Sequence, residues 1–177
     1  VGVNGSGKTT LLKWIAGLLS PNQGEINIRF SKNKEGKIGF SHEDPEECFF
    51  ASTVNEEIQF FPKNLGLNYK EKAEEALKLL HIKNLQEKAP YILSAGQQRK
   101  VSLASILSGA PSILILDEPT HSLDEFSENE IGKIIKELNK TVIFTTHSSD
   151  FAYKFSDELA IIDEGEIKRK GDSKTIL

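Results

Sequence analysis

One short segment near the start of the chain constrains its fold more than any other feature. It reads GVNGSGKTT over residues 2–10, and an apolar helical pattern follows it directly. A glycine, four residues and then Gly-Lys-Thr is the pattern of a loop that turns backbone amides toward phosphate oxygens at a helix N-terminus. The Lys8 ammonium suits the β- and γ-phosphates, and the Thr9 hydroxyl suits Mg²⁺. The segment predicts phosphate binding; the alternative is a glycine-rich turn that happens to hold a lysine.

A second segment combines an apolar run with two carboxylates. Residues 113–116 read ILIL, and Asp117, Glu118 and Pro119 follow. Four consecutive aliphatic residues fit a parallel strand buried on both faces, and open α/β sheets bind their ligands at the carboxyl edge. At that edge Asp117 is suited to hold hydrated Mg²⁺, and Glu118 to polarise a water aimed at a γ-phosphate. The alternative is a buried strand that simply ends in polar turn residues.

A third segment, LSAGQQR at residues 93–99, marks the start of a helix. Ser94 is suited to cap the helix, and Gln97 three residues later completes a capping box. Taken by itself, this pattern predicts only a well-capped helix. Its occurrence together with the two preceding segments favours a functional role over a helix cap alone.

The remaining patterns predict an α/β fold of a single domain. Apolar strands at 113–116, 141–145 and 159–162 are separated by helical patterns rather than tight turns, which favours a mainly parallel sheet with helices on its faces. Residues 25–30 and 37–41 predict two short strands joined by a polar turn, hence a β-hairpin. Helical signals fill about residues 53–110, beginning with a capping box at Thr53, and predict a helical subdomain. Further helices are expected at 8–19, 69–80 and 126–138, and a helix start at 173–177.

Composition narrows the class of protein. The chain has 177 residues, a net charge of −4, 38% hydrophobic and 27% charged residues, which is typical of a globular protein and unlike a uniformly basic nucleic-acid-binding surface. No apolar run approaches the ~20 residues of a membrane span, and no signal-peptide pattern occurs. The single cysteine, Cys48, cannot form an internal disulfide, which agrees with a reducing, cytosolic setting.

Five motifs in order carry a resemblance to a known family. They are GVNGSGKTT, LSAGQQRK and ILILDEPT, then HSLD at residues 121–124 and TTH at residues 145–147. The set closely resembles the nucleotide-binding domain of ATP-binding cassette (ABC) transporters: LSAGQ is similar to the family's signature sequence, DEPTHSLD to its Walker B segment with the D-loop, and His147 to its switch histidine. The resemblance implies a P-loop NTPase fold and one ABC ATPase domain over residues 1–177. It also implies strands before Val1, so we expect the sequence to be N-terminally truncated.

The resemblance implies an ATPase that uses ATP and Mg²⁺ and works as a head-to-tail dimer. Glu118 would act as general base or water-orienting group, His147 would bridge it to the γ-phosphate, and Asp124 would signal across the dimer. The second ATPase subunit, identical or different, would supply its signature residues to close on the γ-phosphate. The residues so assigned to ATP are Asn4, Gly5, Ser6, Gly7, Lys8, Thr9, Thr10, Ser94, Ala95, Gly96, Gln97 and Asp124, and those assigned to Mg²⁺ are Thr9, Asp117 and Glu43.

The sequence departs from the family pattern at two of these places. Ala95 replaces the first of two signature glycines, a small change that leaves the backbone amides usable. Glu43 stands where a glutamine normally touches Mg²⁺ and the attacking water. The aromatic residue that stacks on adenine in this family precedes the phosphate loop and is not part of the sequence.

Within the family, residues 44–54 resemble the ATPases of energy-coupling-factor importers, which include cobalt and nickel systems. The resemblance implies a transmembrane transporter subunit as partner, no nucleic acid, and a peripheral position on the cytoplasmic face of the membrane. Phe49 and Phe50 either face that partner or pack into the helical subdomain. The alternatives in function are a soluble ABC ATPase acting on nucleic acid or the ribosome, and a nucleotide-binding module with little turnover.

Overall fold

A computed structural model describes residues 1–30 and 38–176. Its helices are α1 (Lys8–Ile15), α2 (Val54–Asn64), α3 (Tyr69–Leu79), α4 (Ala95–Ser108), α5 (Glu125–Glu137), α6 (Ser149–Phe155) and α7 (Ser173–Ile176). Its strands are β1 (Ile38–Ser41), β2 (Ile113–Leu116), β3 (Thr141–Phe144), β4 (Glu158–Asp163) and β5 (Glu166–Asp172). Short 3₁₀ turns lie at Glu46–Cys48, Lys83–Leu85 and Pro90–Ile92.

A parallel sheet brings three chain segments to one edge. Strand β2 lies between β1 and β3 and pairs in parallel with both. The register aligns Ser41, Leu116 and Phe144 at the carboxyl ends of the three strands. Because Leu114 and Leu116 are fully buried, β2 is the covered central strand that its aliphatic run predicts. The residues that follow the strands therefore meet at the edge where α/β sheets bind ligands.

The hairpin predicted for residues 25–30 and 37–41 is wrong. Residues 25–30 adopt no strand, and β1 pairs in parallel with β2 instead. The predicted turn falls within residues 31–37, outside the described residues. A side chain at Gly39 would place its Cβ 2.3 Å from Cγ2 of Ile106 in α4, so β1 packs directly beneath that helix. This long-range burial decides the partner of β1, and a local turn pattern carries no information about it.

Helices α2, α3 and α4 pack against one another, and α4 also covers β1. The predicted capping box forms at the start of α2, where the Glu56 amide donates to the Thr53 hydroxyl. Pro62 lacks the amide that would bond to the Ile58 carbonyl, and the Ser108 hydroxyl of α4 donates to that carbonyl at 2.8 Å. Side chains of α4 thus stabilise α2, although the extent of the helical subdomain stays a prediction.

Strands β4 and β5 form an antiparallel pair whose turn supports the phosphate-binding segment. Glu164 and Gly165 both have positive φ, at 48° and 77°, as a tight two-residue hairpin turn requires. The Gly165 amide donates to the Ser6 carbonyl at 3.1 Å, and the Ile162 amide to the Val1 carbonyl at 2.8 Å. Strand β5 was not predicted from the sequence, because its residues, EIKRKGD, lack an alternating apolar pattern. Six of these seven residues are exposed.

Most predicted helices agree with the structure to within a residue or two. The exception is α1, which ends at Ile15 rather than at residue 19, because the nearby Gly17 takes a left-handed φ of 73°. In residues 1–30 and 38–176, none of the helices has the length and apolar character needed to cross a bilayer.

Candidate functional site

The glycine-rich loop wraps around the Lys8 ammonium at the start of α1. Gly5 and Gly7 have backbone φ values of 80° and 98°, which residues with a Cβ rarely adopt. Lys8 is 6% exposed, and its Nζ donates to the carbonyls of Gly2 at 2.9 Å and Val3 at 3.1 Å. The loop therefore holds a buried cation directly at a helix N-terminus, an arrangement suited to an anion.

A cleft of about 340 Å³ opens at this loop. The predicted phosphate-binding residues Asn4, Gly5, Gly7, Lys8, Thr9 and Thr10 line it, together with Glu43 and Glu118. Ser6 is buried instead, and its Oγ has no hydrogen-bond partner. The structure thus brings most of the predicted phosphate loop and two of the predicted acidic residues to one space.

Thr145, at the end of β3, fixes the two carboxylates that follow β2. Its Oγ1 donates to Asp117 Oδ1 at 2.7 Å and accepts from the Glu118 amide at 3.0 Å. The Asp117 amide donates to the Ser41 carbonyl of β1 at 3.0 Å. Glu118 has a φ of 45°, a left-handed conformation that the surrounding bonds hold in place. The sequence shows Thr145 only as part of the TTH segment, so its bridging role between two strands is a structural finding.

The Glu118 carboxylate lies between a lysine and a histidine. Its Oε1 is 3.4 Å from Lys8 Nζ, and its Oε2 is 3.0 Å from His147 Nδ1 and accepts from the His147 amide at 3.2 Å. Glu118 is only 5% exposed, and its Oε1 has no hydrogen-bond partner. The Glu118 carboxylate is thus held at the cleft by a cation on one side and a histidine on the other, and a carboxylate so placed is suited to accept a proton or hydrogen bond from a water. The two residues predicted to be catalytic are therefore in direct contact.

The three residues predicted to bind Mg²⁺ are not equivalent in the structure. Thr9 and Glu43 line the cleft, whereas Asp117 is buried against Thr145. The Glu43 carboxylate is half-exposed, and its Oε1 lies 3.6 Å from Nδ1 of His121. Across the described ranges, no three His, Cys, Asp or Glu side chains converge as a metal site. Mg²⁺ commonly combines one or two protein oxygens with phosphate oxygens and waters, and Thr9 and Glu43 offer such oxygens at the cleft.

The cleft fits a magnesium-bound polyphosphate. In this structure the Lys8 ammonium donates to neutral carbonyls. An anionic phosphate oxygen accepts a stronger hydrogen bond than a neutral carbonyl does, so Lys8 is suited to bind phosphate. The buried Ser6 Oγ is an unpaired polar atom in the loop itself. Thr9 and Glu43 supply the hard oxygen donors that Mg²⁺ prefers.

The predicted capping box forms at the start of α4. The Gln97 amide donates to Ser94 Oγ at 3.4 Å, and the Ser94 amide donates to Gln97 Oε1 at 3.2 Å. Ser94 and Ala95 are exposed, and Gly96 lies so close to α5 that an added Cβ would come within 2.9 Å of Ser127 Oγ. In the described part of the chain, residues 94–97 do not line the cleft.

Asp124 also lies outside the cleft lining, at the start of α5. Its Oδ1 accepts from the Ser127 amide at 2.8 Å, which makes it the N-cap of the helix. This backbone hydrogen bond lowers the pKa of the Asp124 carboxyl below its usual value. The structure thus shows a capping role for Asp124, and its predicted role in a dimer stays a prediction.

The two residues of the Phe49–Phe50 pair differ in burial, and a contact of Phe50 with a partner stays a prediction. Phe49 is 6% exposed and belongs to the hydrophobic core. Phe50 is 57% exposed and packs edge-on against Phe60 of α2, with ring centroids 4.4 Å apart. One residue of the pair therefore packs inside, and the other forms an exposed aromatic surface.

Comparison with known proteins identifies the family. The family model described as ABC transporter matches residues 1–121. A putative ABC transporter ATP-binding protein of Clostridium tetani is 40% identical over the whole chain, which spans 43% of that relative's length. The energy-coupling factor transporter ATP-binding protein EcfA of Carboxydothermus hydrogenoformans is 38% identical over the whole chain and 70% of its own length.

Solved structures give the same assignment. CbiO1 of Clostridium perfringens, part of the ABC transporter complex cbiONQ, has a TM-score of 0.88 and 32% identity, covering 99% of this chain and 76% of that one. A dimeric ATP-binding cassette in a post-hydrolysis state, bound to ADP and Pi, has a TM-score of 0.83 and 28% identity over 98% of this chain and 83% of that one. The chain belongs to the ABC transporter family, and the family and the P-loop α/β fold predicted from the sequence are confirmed.

Proposed function

We propose that this chain binds and hydrolyses ATP and thereby powers a membrane importer of the energy-coupling-factor type. The contact of Glu118 with both Lys8 and His147 carries the proposal, because it joins a phosphate-binding cation to a carboxylate and a histidine at one cleft. Relatives named as ATP-binding proteins of energy-coupling factor transporters support the importer class.

Each cleft residue has a defined part in the proposed hydrolysis. Lys8 binds and neutralises the β- and γ-phosphates, and the loop amides hold them at the N-terminus of α1. Glu118 orients the attacking water and accepts its proton, while Lys8 lies beside its Oε1 and His147 holds its Oε2. Thr145 keeps the Glu118 backbone in its left-handed conformation, so the carboxylate is in place before substrate binds.

Mg²⁺ is the proposed metal, held by Thr9 and Glu43 together with phosphate oxygens. When bound, it neutralises charge that develops on the transferred phosphoryl group. Asp117 would reach the metal through a water in its hydration shell, since its carboxylate is already bonded to Thr145.

A second ATPase subunit is the proposed partner in hydrolysis. The start of α4 presents Ser94, Ala95, Gly96 and Gln97 at a helix N-terminus, where exposed amides favour an anion. These residues stand outside the cleft of their own chain, which supports binding to the γ-phosphate held by a partner. The dimeric structure of a related ATP-binding cassette supports the pairing of two ATPase subunits.

A transmembrane subunit is the second proposed partner, with the chain on the cytoplasmic face of the membrane. Phe50, Phe60 and Phe61 form an exposed aromatic surface, with Phe60 at 5.8 Å from Phe61 between ring centroids. Aromatic anchors of this kind are enriched where proteins bind one another.

Phosphate release by the purified protein tests the proposal. Glu118→Gln keeps the shape of the side chain but removes the proton acceptor, so we expect hydrolysis to fall about 100-fold or more while ATP binding remains. Glu125→Gln, at the exposed start of α5, is the matched control and should hydrolyse ATP at the unchanged rate. Equal hydrolysis by wild type and Glu118→Gln would contradict the assigned role.

A nucleotide-binding module with little turnover is the second candidate, because Glu43 places a further negative charge in the cleft. ATP binding without phosphate release by the wild type would favour this candidate.

A further inference from the structure

Arg99 is a buried charge that the chemistry described above does not use. It lies in the second turn of α4 and is 1% exposed. Its Nη1 donates to the His42 carbonyl at 2.9 Å, and its Nη2 donates to the Glu43 carbonyl. Its third nitrogen, Nε, is buried and has no hydrogen-bond partner. One guanidinium therefore clamps two consecutive carbonyls of the segment that carries Glu43 into the cleft.

Two neighbouring residues of α4 hold the same segment at its ends. Ser102 Oγ lies 3.5 Å from Ser41 Oγ, at the last residue of β1. Gln98 Nε2 donates to Glu46 Oε1 at 2.8 Å, where the first 3₁₀ turn begins. We call residues 41–46 the strand-exit segment. Its beginning, middle and end are thus attached to a single helix whose N-terminus carries Ser94.

The buried charge at Arg99 is not explained by packing alone. Burial lowers the pKa of its guanidinium, while the nearby Asp44 and Glu43 oppose that shift. Arginine stays charged in proteins, so this side chain places a cation in the interior. An apolar side chain of similar size would fill this place without the cost of removing a charge from water. The rigid, planar fork of the guanidinium lets two separate nitrogens, Nη1 and Nη2, each hold one of the two consecutive carbonyls in a fixed direction.

We propose that Arg99 is a positioning residue, which fixes the Glu43 carboxylate in the cleft and thereby sets the affinity of the cleft for a divalent metal. Because Arg99 and Ser94 belong to the same helix, the position of Glu43 is mechanically tied to the helix start that we propose to bind the partner's ATP. This inference rests on the proposed function, which supplies the nucleotide and the partner.

Metal binding without hydrolysis tests the inference directly. Mn²⁺ is titrated into the full chain with ADP bound, and free Mn²⁺ is followed by electron paramagnetic resonance. We expect Arg99→Met to weaken Mn²⁺ binding about 5-fold, because the strand-exit segment is released and Glu43 no longer stays in the cleft. Lys100→Met is the matched control, since Lys100 is the next cation on α4 and pairs with Glu130 instead. It should bind Mn²⁺ like the wild type.

A double-mutant cycle separates positioning from a general structural effect. If Arg99 acts through Glu43, then Arg99→Met introduced into a Glu43→Ala chain should change Mn²⁺ affinity by less than about twofold. An equal loss in both backgrounds would overturn the inference, because the effect would then not pass through Glu43. Unchanged Mn²⁺ affinity in folded Arg99→Met would overturn it as well.

Arg99→Lys covers the case in which Arg99→Met does not fold. Lysine keeps the charge but lacks the rigid planar fork whose two nitrogens, Nη1 and Nη2, each reach one carbonyl, so we expect about a threefold loss of Mn²⁺ affinity that disappears in the Glu43→Ala background. Wild-type affinity in Arg99→Lys would then contradict the inference. Failure of the proposed function gives a different result, namely wild-type protein that binds neither ADP nor ATP.

Discussion

The cleft and the start of α4 carry the two most specific sequence motifs, but their side chains differ in burial and in hydrogen-bond partners. In the cleft, Lys8 and Glu118 are buried and bonded to residues of other elements. At the start of α4, Ser94 and Gln97 bond to each other and leave the helix N-terminus exposed. Substitutions in the cleft should therefore act within one chain, whereas substitutions at the helix start should act only when two chains meet.

Lys8→Ala has the largest expected effect and tests the cleft within one chain. Removing a buried ammonium that bonds to phosphate should weaken ATP binding by about 3 kcal/mol, or about 100-fold. Isothermal titration calorimetry measures this affinity. Lys13→Ala, in the last turn of the same helix, is the control and should bind ATP with nearly wild-type affinity. An equal loss in both variants would mean that the effect comes from α1 stability rather than from phosphate binding.

Ala95→Asp tests the helix start and should have an intermediate effect that appears only between chains. An acidic residue in the first turn of α4 favours the helix dipole, so the free energy of unfolding should stay the same or rise slightly. Its charge would repel the γ-phosphate of a partner's ATP, so ATP-dependent dimerisation should weaken about 10-fold or more. Analytical ultracentrifugation measures the dimerisation, with Ala95→Ser as the neutral control. Weaker ATP binding by the monomeric variant would mean that Ala95 also acts on ATP within its own chain, which would contradict the proposed difference between the two regions.

Glu43→Gln has the smallest expected effect and concerns the residue that joins the cleft to α4. The carboxylate attracts the metal but repels the charge that develops on the phosphoryl group. We expect the variant to raise the turnover number, ~10-fold at most, and to need more Mg²⁺ for its half-maximal rate. Steady-state ATPase assays across a Mg²⁺ titration measure both quantities. Unchanged turnover and unchanged metal dependence would mean that Glu43 does not act in the catalytic cleft.

The elements that local patterns control could be predicted from the sequence. The phosphate loop, the buried run before Asp117 and the capping boxes at Thr53 and Ser94 each depend on residues within a few positions of one another. The structure places these elements as predicted, and the fold class is confirmed. The residues within each of these segments are therefore sufficient to predict its local backbone structure.

Features that depend on distant partners could not be predicted in the same way. Strand β1 pairs with β2 across more than seventy residues, and no turn pattern encodes this choice. Arg99 lies in a helix whose sequence gives no sign that its guanidinium binds the carbonyls of residues 42 and 43. Thr145 likewise bridges two strands through a single hydroxyl. These bonds exist only once the sheet and α4 are assembled.

We propose that the cleft of one chain is completed by the start of α4 in another. The molar mass of Glu118→Gln, measured by light scattering with ATP and Mg²⁺ and, separately, with ADP, tests this proposal. Because this variant should bind ATP but hydrolyse it slowly, we expect a dimer with ATP and a monomer with ADP. A variant that binds ATP by calorimetry but keeps the mass of a monomer would contradict the claim.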